Sequence, residues 1–167
     1  MRRAFTLIEI IIYLAIVGTV AVTLVMYSIS VSTSRGKAEV VAEVQANARF
    51  ALGIMRQKIR TASSINISAN TLNDDPGVLS LTMLSTAENP TIFGLDARNG
   101  RLCMKIGANP CEFLTSDEIS VTDLRFVDLT DGPREHVRVF MTLRYNGADL
   151  VEYQYKYSIE STLGVRF

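Results

Sequence analysis

The sequence is poor in the residues with which most enzymes work. It has one histidine, His136, two cysteines, Cys103 and Cys111, and no tryptophan. A lone histidine without a third cysteine nearby fits neither a zinc site nor a catalytic triad. The sequence also lacks a phosphate-binding loop and a dinucleotide fingerprint. We therefore expect no enzymatic activity, no cofactor, no metal and no small-molecule substrate, with His136 at a solvated strand end.

The sequence also lacks an excess of either charge. Its 17 lysines and arginines balance 17 aspartates and glutamates among 167 residues. This balance favours neither a nucleic-acid-binding surface nor a disordered acidic tail. The acidic pairs Asp74-Asp75 and Asp117-Glu118 do not have EF-hand spacing, so we assign them to turns.

What the sequence does contain is a long apolar run at residues 5–26. Of these 22 residues, 17 are Ala, Val, Ile, Leu, Met, Phe or Tyr. At ~1.5 Å per residue, a helix of this length spans ~33 Å, enough to cross a bilayer core of ~30 Å. The run is too long for an ordinary signal peptide, and no A-x-A-like cleavage site follows it. Arg2 and Arg3 favour a cytoplasmic N-terminus, which places the C-terminal part across the membrane.

Residues 37–62 form an amphipathic continuation of this run. Apolar side chains recur there at steps of three and four, at Val41, Val44, Ala48, Ala51, Met55, Ile59 and Ala62. We predict one nearly continuous helix over residues 5–62, with residues 5–29 in lipid and residues 30–62 on the soluble domain. Gly36 and the serines before it are the expected place for a bend or fray. Phe50 and Ile54 lie off the stripe, either as a wider core face or as a contact with a neighbouring subunit.

Residues 63–167 have the pattern of an antiparallel sheet. Turn sequences at residues 73–77, 97–100, 107–110 and 131–133 separate apolar segments. These predict strands at residues 78–84, 91–95, 101–106, 119–128, 137–144 and 148–159. The expected architecture is an α+β fold, in which a long N-terminal helix packs on an antiparallel sheet.

Alternation in the last two strands predicts their register. A three-residue loop at residues 145–147, with Gly147 in a bulge, pairs Met141 with Val151 and Leu143 with Asp149. This register keeps the apolar faces of both strands on one side of the sheet.

Cys103 and Cys111 flank a turn-like segment at residues 105–110. A disulfide between them is permitted if the domain lies outside the cytoplasm, and two reduced or buried cysteines are the alternative. The bond would close a nine-residue loop.

Glu9 is the one charge inside the apolar run. A carboxylate at the centre of a membrane helix costs ~2.5–3.5 kcal/mol, and less near the interface. The motif Phe5-Thr6-Leu7-Ile8-Glu9, behind a short basic leader, strongly resembles the start of type IV pilins and of type II secretion pseudopilins.

The resemblance implies a leader peptide of residues 1–4, removed by a prepilin peptidase that cuts between Ala4 and Phe5. The new amine of Phe5 would be N-methylated, and Glu9 would neutralise the amine of a neighbouring subunit during filament assembly. The implied partners are other pilins or pseudopilins, the inner-membrane assembly platform and the lipid bilayer. Ala4 departs from the family, which usually has glycine there.

Two positions further along the helix bear on its flexibility. Gly18 matches a common glycine of the family. Met26 stands about where many pilins have a helix-breaking proline. The resemblance therefore implies that local melting of the helix in a fibre depends on Gly18.

Residues 47–52 and 55–62 look like the helix of the J-type minor pseudopilin and of its pilus counterpart PilW. The resemblance implies a minor pilin or pseudopilin, a structural subunit of a filament in a pilus, type II secretion or DNA-uptake system. It also implies a single-pass protein of the cytoplasmic (inner) membrane, with the C-terminal domain periplasmic or extracellular. The alternative is a membrane-anchored extracytoplasmic binding module that joins no filament.

Overall fold

One long helix runs through both units of the chain. The computed structural model describes residues 6–66, 69–132, 134–147 and 154–166, and its contacts define the units Met1–Glu39 and Val40–Phe167. Helix α1 begins at Leu7 and ends at Thr61. Residues 27–36 are helical throughout, so the helix does not fray at Gly36. The prediction of one continuous helix is confirmed.

Eight strands follow α1 in the described part of the chain, and every pairing between them is antiparallel. The first sheet has five strands in chain order: β1 (Ala62–Ile65), β2 (Leu79–Met83), β3 (Thr91–Leu95), β4 (Leu102–Ile106) and β5 (Glu112–Phe113). The second sheet has three strands, also in chain order: β6 (Ile119–Asp128), β7 (His136–Tyr145) and β8 (Lys156–Gly164). The chain therefore has the predicted α+β fold.

The second half of α1 packs on both sheets through one stripe of apolar side chains. The buried residues of the helix are Val40, Val44, Ala48, Ala51, Leu52, Met55 and Ile59, and they belong to one core with side chains of both sheets. The stripe follows the predicted spacing with two changes. Val40 takes the buried place predicted for Val41, and Leu52 joins the stripe.

Polar contacts fix the same half of the helix to the second unit. The Asn47 side-chain oxygen accepts a hydrogen bond from the backbone amide of Ser116 at 2.9 Å. Near the end of the helix, Lys58 forms a 3.0 Å ion pair with Glu88. These polar contacts favour one orientation of the helix on the sheets. Burial of small alanine side chains alone would specify that orientation less strictly.

The predicted hairpin between β3 and β4 is confirmed. Gly100 has a φ of 62°, in the left-handed region that glycine adopts without steric cost. The Gly100 amide donates to the Asp96 carbonyl, and the Asp96 amide donates to the Arg101 carbonyl, both at 2.9 Å. The turn sequence therefore determines this connection locally.

The predicted register of the last two strands is wrong. Met141 pairs with Ile159 and Leu143 with Tyr157, so β8 lies eight residues further along the chain than predicted. Beyond β7, the Asn146 amide donates to the carbonyl of Glu118, the residue before β6, at 2.7 Å. An even shift leaves the same side chains facing inward, so alternation alone could not distinguish the two registers. Residues 148–153, the partners in the predicted register, lie outside the described residues.

The buried stripe of α1 leads to a stability prediction. Replacing Ile59, which is fully buried, with alanine should lower the free energy of unfolding by about 2–5 kcal/mol, because it leaves a cavity in the core. Phe50→Ala is the matched control, since Phe50 is 58% exposed on the same helix and should cost about 0.5 kcal/mol or less. Denaturant unfolding of the full chain in neutral detergent, followed by near-ultraviolet circular dichroism, measures both. Equal losses in the two variants would contradict this assignment of the core.

Candidate functional site

The first half of α1 has no cover from the rest of the described chain. Large apolar side chains from Leu7 to Ile29 are exposed on all sides of the helix, with Leu7 at 77%. Within the described residues, α1 is the one helix long and apolar enough to cross a membrane, and none of its most apolar 18-residue window is buried. Such a surface requires an apolar environment, because water strongly disfavours a contiguous apolar patch of this size.

The two threonine hydroxyls of this segment are satisfied by the helix itself. Thr19 Oγ1 donates to the carbonyl of Ile16 and Thr23 Oγ1 to that of Val20, each at 2.8 Å. A hydroxyl that bonds to its own helix exposes no unpaired donor, which removes much of its desolvation cost in lipid. The two threonines are therefore compatible with an apolar environment.

Glu9 lies in the first turn of α1 and is partly exposed. Thr6 precedes the helix, and its carbonyl accepts hydrogen bonds from the amides of Glu9 at 3.1 Å and Ile10 at 3.3 Å. The positive end of the helix dipole lies at this turn and favours a carboxylate there. Of the ion pairs found between described residues, none involves Glu9. Its charge is thus available to a group outside the described chain.

Gly18 is helical, and no contact within the described chain requires a glycine there. A β-carbon placed on it would meet no atom within 4 Å. Gly18 follows Glu9 by nine residues, so at about 100° per residue the two lie on opposite sides of the helix. Ala4 and Phe5, the predicted cleavage and methylation residues, lie outside the described residues.

A disulfide joins Cys103, on β4, to Cys111, just before β5. Their Cα atoms are 5.7 Å apart, within the usual disulfide range of ~4.4–6.8 Å. Cys103 pairs with Phe113 across the two strands, so backbone and covalent bonds close the same loop. The disulfide therefore lies next to β5, the edge strand of the five-stranded sheet.

Arg101 supports the disulfide loop in a way that the sequence analysis missed. Its guanidinium lies 4.1 Å from the centroid of the Phe113 ring and donates to the Thr115 carbonyl at 2.6 and 3.1 Å. It also forms an ion pair with Asp117. These contacts join Arg101 to residues 12 to 16 positions later in the sequence, so no local sequence pattern predicts them.

Asp75 and His136 both lie in the second unit of the chain. Asp75 accepts a hydrogen bond from the Leu124 amide at 3.1 Å, which ties the turn at residues 73–77 to β6. His136 begins β7 and is half-buried. In the ranges that the structure describes, no three His, Cys, Asp or Glu side chains cluster closely enough to hold a metal ion.

Comparison with known proteins gives no relative: no family model, no curated protein and no solved structure matches this chain.

The disulfide gives the prediction of this section. Replacing both Cys103 and Cys111 with serine should lower the free energy of unfolding by about 2–3 kcal/mol, since the unfolded chain is no longer constrained by the nine-residue loop. Unfolding of the full chain in detergent measures the loss. Reduction with dithiothreitol is the control: it should lower the stability of the unsubstituted chain and leave the double variant unchanged. Alkylation of both cysteines in chain isolated under non-reducing conditions would contradict the bond.

Proposed function

We propose that this chain is a structural subunit of a type IV pilus-like filament, a minor pilin or pseudopilin. The observation that supports this most is the uncovered first half of α1 with a single carboxylate in its first turn. A membrane tether needs the apolar surface and gains nothing from the carboxylate. A subunit that leaves the bilayer for a helical array of identical or similar helices uses both.

The physical argument concerns the free energy of Glu9 before and after assembly. In the bilayer the carboxylate is disfavoured, by up to ~2.5–3.5 kcal/mol at depth. A neighbouring subunit's N-terminal amine would supply the opposite charge, and in an apolar surrounding an ion pair with good geometry is far better than either charge alone. Assembly is therefore favoured, and the register between subunits is fixed by the pairing.

The organisation of α1 supports the same function. Its second half is the spine of the sheet domain, buried through Val44, Met55 and Ile59, while its first half is free to contact other helices. Prepilin peptidase, other pilins or pseudopilins and an inner-membrane assembly platform are the partners of such a subunit. The chain would start as a single-pass protein of the inner membrane, with its N-terminus inside and its sheet domain outside the cytoplasm.

The disulfide adds support for this orientation. A bond between Cys103 and Cys111 persists in the periplasm or outside the cell and is rare in the cytosol. A sheet domain on the far side of the membrane would satisfy this condition.

Charge removal at Glu9 tests the role in assembly. Glu9→Gln keeps the size of the side chain and should leave membrane insertion intact, while incorporation into filaments falls by about tenfold or more, as expected for the loss of an ion pair worth at least ~1.4 kcal/mol. Quantitative immunoblotting of sheared filaments against the membrane fraction measures the ratio. Glu112→Gln, on the exposed strand β5, is the matched control. Normal incorporation of Glu9→Gln would remove the basis of the proposed assembly.

Processing at the N-terminus is tested separately by mass spectrometry of the membrane-bound and filament-bound chain. The expected mature chain begins at an N-methylated Phe5, and its formation requires the prepilin peptidase. Ala4→Gly should process faster, because it restores the residue usual before the cut. A mature N-terminus at Met1, unchanged by loss of the peptidase, would instead support a simple membrane-anchored binding module.

A further inference from the structure

A basic groove lies between the C-terminal end of α1 and the chain that follows β8. Its volume is about 350 Å³, and it is lined by Gly53, Arg56, Gln57, Arg60, Thr61 and Arg166. All six residues are exposed. Three of the six are arginines, and none is acidic, so the groove presents one sign of charge.

The fold brings the three arginines together from distant parts of the sequence. Arg56 and Arg60 are four residues apart and therefore lie on the same face of the helix. Arg166 follows β8 by two residues. Val165 before it is buried, and alternation along the extended chain turns the Arg166 side chain outward. Gly53 lacks a side chain at the edge of the groove, and a β-carbon there would meet nothing within 4 Å. The glycine therefore leaves open space within the groove that the arginines line.

These arginines have no carboxylate partner among the described residues. Other basic side chains do: Lys58 pairs with Glu88, Arg101 with Asp117, Arg125 with Asp123 and Arg138 with Glu160. Like charges four residues apart on a helix destabilise it. For Arg60, in the last turn of α1, a favourable interaction with the helix dipole offsets this repulsion. Arg56 and Arg166 lie outside that turn, so the helix dipole does not offset the repulsion for them. An anionic partner would relieve the repulsion of all three.

The surroundings of the groove favour a protein as that partner. Phe50 is three residues before Gly53 and is 58% exposed, so an exposed aromatic side chain lies one helical turn from the edge of the groove. Aromatic and arginine side chains together are typical of the energetically important residues of protein–protein interfaces. A nucleic acid would need a longer basic surface than one groove, and the chain as a whole has no net charge.

We propose that Arg56, Arg60 and Arg166 bind the carboxylates of an acidic, partly apolar segment of a partner protein, with Phe50 contacting its apolar side chain. The planar guanidinium fork of arginine matches a carboxylate in two parallel hydrogen bonds. The groove lies wholly within the second unit of the chain, and this interaction does not depend on filament assembly.

The test measures fluorescence anisotropy of a labelled glutamate–leucine peptide with the purified full chain in neutral detergent. The Arg56→Gln, Arg60→Gln, Arg166→Gln triple variant should bind it at least about tenfold more weakly, which corresponds to ~1.4 kcal/mol shared among three exposed contacts. The matched control removes three exposed arginines elsewhere, by Arg98→Gln, Arg134→Gln and Arg144→Gln, and should bind like the unsubstituted chain. Binding should also weaken with added salt.

Two further variants separate the parts of the proposal. Arg56→Lys keeps the charge and removes the fork, so its affinity should lie between those of the unsubstituted chain and Arg56→Gln. Phe50→Ser should weaken the glutamate–leucine peptide and leave a glutamate–serine peptide unaffected. Near-ultraviolet circular dichroism checks that each variant remains folded.

Three results would overturn the proposal. The first is the absence of peptide binding by the unsubstituted chain. The second is an equal loss in the triple variant and its control, which would show an effect of net charge alone. The third is tighter binding of a labelled oligothymidylate than of the peptide, with the same dependence on the three arginines, which would assign the groove to nucleic acid.

Discussion

Every backbone amide in the interior of a helix is bonded within the helix itself. This allows α1 to extend from Leu7 to Thr61, although its first half is exposed and its second half is packed on the sheets. A strand could not do so, because it needs a neighbour for its hydrogen bonds. The threonine hydroxyls at residues 19 and 23 follow the same rule by bonding to carbonyls of their own helix. With the backbone satisfied locally, side chains alone decide what each half of α1 can contact.

The parts of this fold that the sequence predicts are those determined by neighbouring residues. The 3.6-residue periodicity defines α1, and the 97–100 turn defines the β3–β4 hairpin, where Gly100 supplies the positive φ. The pairing of β7 with β8 is different. Alternation identifies which side chains face inward, but Met141 satisfies it equally opposite Val151 or Ile159. The observed partner is Ile159, and alternation alone does not distinguish the two.

The candidate sites also divide into those that neighbouring residues predict and those that depend on contacts between distant residues. Glu9 stands out in the sequence because a charge in an apolar run is conspicuous by itself. The contacts of Arg101 with Phe113 and Asp117, and the meeting of Arg56 with Arg166 at one groove, depend on which strand ends next to which helix. The zero net charge of the chain predicts neither the contacts of Arg101 nor the arginine groove. In the described chain, Lys58, Arg101, Arg125 and Arg138 pair with acids, while one groove is lined by three arginines without a carboxylate partner among the described residues.

The opposite placement of Glu9 and Gly18 on the first half of α1 has a consequence for symmetry. A two-fold dimer of this helix would occupy one side and leave the other facing lipid, so only one of the two residues could meet a neighbour. In the filament that we propose, both residues can meet neighbours, because each helix is surrounded by several others at different heights. Screw symmetry gives such an arrangement, in which every contact joins different surfaces of the two subunits. It continues without limit in both directions, which is the geometry of a fibre.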